Sequence, residues 1–405
     1  MSKSNFFTGQ PVFNQILNFI PRDTINKIVS EHGADKYYKS FKTYDHLVTM
    51  LYAVFNQCTT LREVTTGLLA WEQRIQHLGI KMPPRRSTIS DANMNRSEKI
   101  FEDIYLSLLN KYKCLLPDSR KKTKKNNLYI FDSTSIALFK EILKGAGLSK
   151  YDGKRKGGIK VHTLLHSNSD VPTMIRYSAS ADSDIKYLSE VKLPKGSVVV
   201  FDKGYRTYSN YNRLTDEGVT WVTRHIESSV FNIIERRKLN DYQKKQGVQS
   251  DRLIELGHSH NKSAVKVEAR IIKYYDKDKK RFFSFITNNK ELAPFTICGY
   301  YQQRWQIETF FKRIKQNYPL DYFLGDNENA IKIQIWCTLI ADLLLKVIKK
   351  GSRSKMAYSN VTGLVRLHLM TYIHLTSFLC APEKTLIAKF KERNKQIYLP
   401  SLFPT

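Results

Sequence analysis

Three acidic residues stand where carboxylate chemistry can be done. Asp132 closes a short apolar run, Leu128-Tyr129-Ile130-Phe131, and Asp202 closes another, Ser197-Val198-Val199-Val200-Phe201. Glu308 comes much later, among residues spaced as on a helix. Hard oxygen donors of this kind suit Mg2+ in near-octahedral geometry, and two ions about 3.5–4 Å apart need carboxylates that bridge them. Aspartates at the ends of neighbouring parallel strands, closed by a glutamate on a packed helix, can form such a set. Taken singly, an aspartate after an apolar strand is more often a turn residue.

The surroundings of Glu308 change that balance. Tyr301, Arg304, Glu308 and Lys315 fall at i, i+3, i+7 and i+14. At about 100° per residue all four project within an arc of about 60° on a helix. Ile307, Phe310 and Ile314 lie on an adjoining face and can seat that helix on a sheet. One stripe therefore offers a carboxylate for metal together with a phenol, a guanidinium and an ammonium that can hold phosphate oxygens. Gly299 can break the helix just before Tyr301. The plainer alternative is an exposed i, i+4 salt bridge between Arg304 and Glu308.

The elements that must position these residues follow from the pattern. Up to about Leu116 the apolar spacing is helical, as in Ile16, Ile20, Ile25 and Ile28 and in Leu47, Leu51 and Phe55. Ser87 is a plausible N-cap for a segment through Arg96. Pro117 and the run Arg120, Lys121, Lys122, Lys124, Lys125 read as a basic linker. From Asn127 the texture becomes β: Leu128–Phe131, Gly157–Leu165, Pro172–Tyr177, Ser197–Phe201 and Trp221–Arg224 are candidate strands. Uninterrupted apolar runs such as Ser197–Phe201 suit strands buried on both faces beneath helices. Val265, Val267, Ala269 and Ile271 alternate with Lys266, Glu268 and Arg270, the period of a half-solvated antiparallel strand, and Arg281–Thr287 would pair with it across Asp276–Lys279. From Gln302 to about Leu379 the pattern is helical again. His258 and His260 form a His-x-His pair with no third ligand nearby and read as strand residues.

Charge narrows the partner. The 405 residues carry 66 Lys and Arg against 37 Asp and Glu, a formal +29, and the pI is about 9.7. Such a surplus repels itself in the compact state unless a polyanion offsets it, and nucleic acid is the leading partner. A membrane is disfavoured: the longest apolar run, Ile335–Ile348, is short and holds Asp342, and Val12–Ile20 is interrupted by Asn14, Gln15 and Asn18. Five cysteines scattered singly suggest neither a zinc site nor a disulfide framework, and fit a reducing cytoplasm.

With these residues in place, a family resemblance follows. Tyr301-x-x-Arg304-x-x-x-Glu308-x-x-x-x-x-x-Lys315 resembles the Y-R-E-K signature of the bacterial DDE transposases of the insertion-sequence IS-four group. Asp132-Ser133-Thr134 looks like the first catalytic motif of that group, and Asp202-Lys203-Gly204-Tyr205 resembles its second. Gly158–His162, Val222–Arg224, Ile286–Asn289 and Phe323–Gly325 agree as well. The likeness runs from about Leu128 to Leu345, and the N-terminal segment, with Arg86–Asn93, looks like a helical domain often fused to the group. One departure is Ser183-Asp184, where the group often shows His-Asp.

The resemblance implies an α/β fold: an RNase H-like core with a mixed five-stranded sheet flanked by helices, and a β-strand insertion. It divides the chain into a helical N-terminal domain with basic linker over 1–126, expected to bind DNA ends, a catalytic core over 127–325 with the insertion at about 225–290, and a C-terminal helical region over 326–405. It implies that Asp132, Asp202 and Glu308 are catalytic and hold two Mg2+ ions (Mn2+ can substitute). Tyr301, Arg304 and Lys315 would hold DNA phosphates, and Trp305 is a candidate to stack an extruded base. Trp221 is another, with core packing as the alternative for both. The implied activity is binding the terminal inverted repeats of the element, cleaving them, in relatives commonly through a hairpin intermediate, and joining the strands to target DNA, as a homodimer in a cytoplasmic, nucleoid-associated setting. A metal-dependent nuclease that does not join strands, and a non-catalytic DNA-binding derivative, are the alternatives; the intact carboxylates argue against the latter.

Overall fold

The structure, a computed structural model, describes residues 9–116, 127–137, 158–179, 184–227, 229–257, 265–318 and 320–396. The basic run of the linker, Ser183, His258 and His260 lie outside the described residues. The chain forms two compact units, one of residues 1–116 with 313–405, the other of 117–312, and the division falls inside the helix Trp305–Asn317.

The first unit is helical and joins both ends of the chain. Its axis is the 24-residue helix Glu328–Gly351, buried on nearly every side through Ile331, Ile335, Trp336, Ile340, Leu343 and Leu344. A helix apolar all round must be covered all round. The helices Thr43–Asn56 and Lys99–Tyr112 pack on it, so the N-terminal helices share one core with the C-terminal ones rather than standing apart. Asp342 interrupts the apolar run yet stays buried because Lys346 lies 3.1 Å and Arg313 3.5 Å away. Burial alone would raise its pKa, but these two cations hold it below the ordinary carboxylate value. The helix placed at Ser87 starts one residue earlier, at Arg86 after the cap residue Arg85, whose side chain makes no capping bond.

The second unit is built on one sheet of nine strands: β1 Leu128–Ala137, β2 Gly158–His166, β3 Val171–Ala179, β4 Val198–Phe201, β5 Thr220–Arg224, β6 Phe231–Arg237, β7 Val248–Leu256, β8 Val267–Asp276 and β9 Arg281–Thr287. Their spatial order is β3-β2-β1-β4-β5-β9-β8-β7-β6. β1, β4 and β5 run parallel, and every other pair is antiparallel. The sheet thus exceeds the five strands expected, because β9 pairs onto the free edge of β5, Val222 opposite Thr287, and carries β8, β7 and β6 with it.

Alternation along β4 sends Val199 and Phe201 to one face and Val198 and Val200 to the other. The first face is covered by the helix Tyr208–Asp216, with Tyr211 and Leu214 against Trp221. The second is covered by the helix Pro294–Gln302, with Ile297, Cys298 and Tyr301 against Val200, Val222 and Phe285. β8 is not half-solvated as its alternation suggests: Arg270 is only 2% exposed and is held by Asp251 of β7 through bonds of 2.8 and 2.6 Å. Strands on both sides enclose that position, and the bidentate pair makes the burial tolerable.

Candidate active site

Asp132 does not end its strand. Parallel pairing of β1 with β4 stops at Phe131 opposite Phe201, while β1 continues to Ala137 along β2, with Asp132 opposite Thr163. The next residue on each of the parallel strands is therefore a carboxylate, Asp132 on one and Asp202 on the other. Asp132 accepts the Ser133 backbone N–H at 2.8 Å, and Asp202 accepts that of Gly204 at 3.2 Å, so each carboxylate is oriented by a backbone N–H that closely follows it.

The helical segment after β9 is not one continuous stripe. Tyr301 belongs to the helix Pro294–Gln302, and Glu308 and Lys315 to the helix Trp305–Asn317; Gln303 and Arg304 form the junction. There the backbone N–H groups of Arg304, Gln306 and Ile307 donate to carbonyls three residues back, at 3.0, 2.9 and 3.2 Å, a tighter 3-10 pattern. The break thus falls after Tyr301 rather than at Gly299.

Across this junction two side chains tie the three carboxylates together. The Tyr301 hydroxyl donates to Asp202 Oδ1 at 3.3 Å. The Arg304 guanidinium donates to Asp132 Oδ2 at 2.9 Å and, through its other nitrogen, to Glu308 Oε1. The Arg304–Glu308 pair exists, then, but not as an exposed surface bridge: Arg304 is 14% exposed and shared with Asp132. Gln303 and Gln306 each approach the Ser167 hydroxyl at 2.9 Å, which fixes the junction against the end of β2. Lys315 is exposed about two turns further along its helix. Trp305 is 56% exposed, whereas Trp221 is fully buried, stacked 4.2 Å from Tyr211 and bonded to Thr215. Trp221 is a core residue.

Burial raises the Asp132 pKa to about 6; the Ser133 N–H and Arg304 pull it down, and Asp202 and Glu308 push it up. Burial likewise pushes the Tyr301 phenol well above its usual value, with Asp202 adding to the effect, so it stays a donor. Burial disfavours the Arg304 cation, yet Tyr301, Glu308 and Asp132 together raise its pKa.

Three carboxylate side chains, all hard oxygen donors, fit a divalent cation in kind. Among the described residues no three of His, Cys, Asp and Glu are gathered closely enough to hold one ion together. The guanidinium of Arg304 supplies the positive charge between Asp132 and Glu308.

Sequence reasoning missed part of the neighbourhood. Asp184 pairs with Lys160 of β2 at 2.8 Å and lies 3.8 Å from buried His162, whose other nitrogen meets Ser178 at 2.9 Å. The motif containing Lys160 and His162 and the pair Ser183-Asp184 were both visible; their pairing was not, since 24 residues separate Lys160 from Asp184.

Carboxylates drawn together by one arginine on a mixed α/β sheet, in so basic a chain, are compatible with an enzyme acting on nucleic acid. Residues 123–344, over half of the chain, match the family described as "Transposase DDE domain", and the chain belongs to that family. It is a DNA transposase, an enzyme of the DDE type, a type that depends on divalent metal. Residues 8–81 match a "Domain of unknown function (DUF4372)". A protein of Sinorhizobium fredii carrying the name of a transposase, y4zB, is 26% identical over 70% of this chain and 77% of its own length. One of Synechocystis, named for insertion sequence element IS4SA, is 26% identical over 65% of this chain and 71% of its own. The piggyBac transposase, solved as a synaptic complex with hairpin DNA, is 10% identical at a TM-score of 0.43 over 99% of this chain and 85% of that one. No helix among the described residues is long and apolar enough to cross a membrane.

Proposed function

We propose that Asp132, Asp202 and Glu308 form the catalytic centre of an insertion-sequence transposase of the IS-four group, with a Y-R-E-K helix segment. The observation that carries this reading is the linkage of all three carboxylates by Tyr301 and Arg304, residues far apart in the chain from Asp132 and Asp202. The β3-β2-β1-β4-β5 order, with β1, β4 and β5 parallel, supports an RNase H-like core, and β6–β9 correspond to the insertion. Residues 1–126 are assigned to recognising element ends, 127–325 to catalysis, and 326–405 to the C-terminal helical region. A homodimer would pair the two ends, in the cytoplasm beside the nucleoid.

Asp132, Asp202 and Glu308 would hold Mg2+, or Mn2+ in its place. Bound there, such an ion would supply activation of water or a 3′-hydroxyl and stabilisation of the departing oxygen. The chain itself does the rest. Its carboxylates fix the charge of the site, and Tyr301 keeps its proton and orients Asp202. Arg304, released from Asp132 and Glu308, can take a phosphate oxygen by its two-pronged donor face. Lys315 adds a second phosphate contact.

The test is a set of variants, Asp132→Asn, Asp202→Asn and Glu308→Gln, singly and together. Each keeps the side-chain shape and removes the charge that holds metal. DNA binding is expected to persist and cleavage and strand joining to fall to background in every single variant, with no further loss in the triple. Substantial end cleavage by any single variant in Mg2+ removes that residue from the centre.

A further inference from the structure

Beside the carboxylates, three cations surround one aromatic ring. The Arg281, Arg224 and Lys279 side chains lie 4.6, 5.3 and 5.7 Å from the centre of the Phe283 ring, and Lys279 is also 5.8 Å from that of Trp305. Among the described residues none of the three has a carboxylate within salt-bridge distance. Lys279 and Arg281 are exposed. Like charges crowded this way repel one another unless an anion joins them.

The fold forces the arrangement. The turn between β8 and β9 contains two aspartates, but Asp276 is 6% exposed and turns inward, accepting the N–H groups of Asp278 and Lys279 at 3.1 Å each. Asp278 remains outside with Lys279 and Lys280. The cluster is joined to the site by an aromatic ladder: Phe283 stacks on Phe285 at 5.9 Å, Phe285 lies 4.8 Å from Tyr301, and Tyr301 bonds Asp202.

We propose that Arg224, Lys279 and Arg281 form a phosphate-binding track for the DNA strand flanking the cleavage site. The proposal rests on the catalytic assignment above and names residues outside its carboxylates and its helix stripe. Rings under the cations keep them spread over a flat surface, which suits successive phosphates rather than a single enclosed anion.

The experiment measures binding of the full chain to a fluorescently labelled, mixed-sequence duplex, without metal, between about 50 and 200 mM salt. Lys279→Ala with Arg281→Ala is compared with Lys192→Ala with Lys195→Ala, exposed lysines before β4, at the strand end opposite Asp202. The track variant is expected to give a shallower dependence of log K on log salt, by about 0.9 for each phosphate that is no longer neutralised. The control pair is expected to keep the wild-type slope, and Arg224→Lys, which retains the charge, to keep it too. A track variant with the wild-type slope, or a control pair whose slope falls as much, overturns the track alone. A wild-type chain that binds no duplex overturns the catalytic reading proposed above and the track with it.

Discussion

Trp305 and Trp221 are the same side chain in opposite surroundings, and substitution separates them. Trp221 fills the core between β5 and the helix over it, so Trp221→Ala should cost about 3–5 kcal/mol in denaturant unfolding. Trp305 lies half outside, and Trp305→Ala should leave unfolding within about 0.5 kcal/mol of wild type. If its ring stacks a base, the same variant weakens DNA binding by about 1–3 kcal/mol. Arg304→Ala and Lys315→Ala should retain metal binding but misplace the phosphate, and an error of about an ångström lowers the cleavage rate on the order of a hundredfold. Parent-rate cleavage in both would leave Arg304 as a structural clamp between Asp132 and Glu308 and Lys315 without a role in the reaction.

At the scale of elements, buried polar groups set the predictions. Asp251 and Arg270 bridge β7 and β8 out of water, so Asp251→Ala leaves an uncompensated cation and should cost about 3–5 kcal/mol. His46 of the helix Thr43–Asn56 is buried, bonded to Asn93 at 2.7 Å, and burial, aided by Arg96, lowers its pKa to about 3. The folded state thus keeps it neutral while the unfolded chain takes a proton near pH 6.5. Its contribution to stability is whole above about 6.5 and is lost as pH falls from there toward 3, by about 1.4 kcal/mol per pH unit. Acid titration of the melting temperature should show this slope in wild type and a smaller one in His46→Gln.

The elements also show what a sequence can and cannot convey. Ser197–Phe201 was legible as β4 because burial on both faces leaves an unbroken apolar run. The extension of β1 past Asp132 was not, since Ser133, Thr134 and Ser135 carry no strand pattern and owe their conformation to pairing with β2. The spacing from Tyr301 to Lys315 announced one shared face, yet the 3-10 junction at Gln303–Arg304 depends on contacts such as those with Ser167, which periodicity does not encode. The carboxylates could be named from their flanking motifs. The guanidinium bridging two of them could not, because its second partner is 172 residues away.

For the whole molecule, charge and connectivity matter together. With a formal +29, binding to any duplex should weaken steeply with salt, and a footprint of six to ten phosphate contacts predicts a loss of about 10³–10⁵ between 50 and 200 mM. A nearly flat salt response would contradict a phosphate-dominated interface. Removing the residues up to Leu116 is a poor way to locate end recognition. It would strip the helices Thr43–Asn56 and Lys99–Tyr112 from the apolar surface of Glu328–Gly351, and such a fragment should aggregate. Surface substitutions on the exposed face of Arg86–Asn95, such as Arg86→Ala, test the same assignment with the core intact.

The turn that presents the cationic track carries a further consequence. Lys280 sits in the left-handed region at φ 50°, a conformation that a residue with a Cβ adopts only at a cost of about 1–2 kcal/mol. Glycine would relieve that strain, so Lys280→Gly should raise the melting temperature while removing a positive charge from the tip. The position therefore pits thermal robustness against affinity: in a screen for heat resistance alone it should drift toward glycine, and in a screen for DNA capture the lysine should persist.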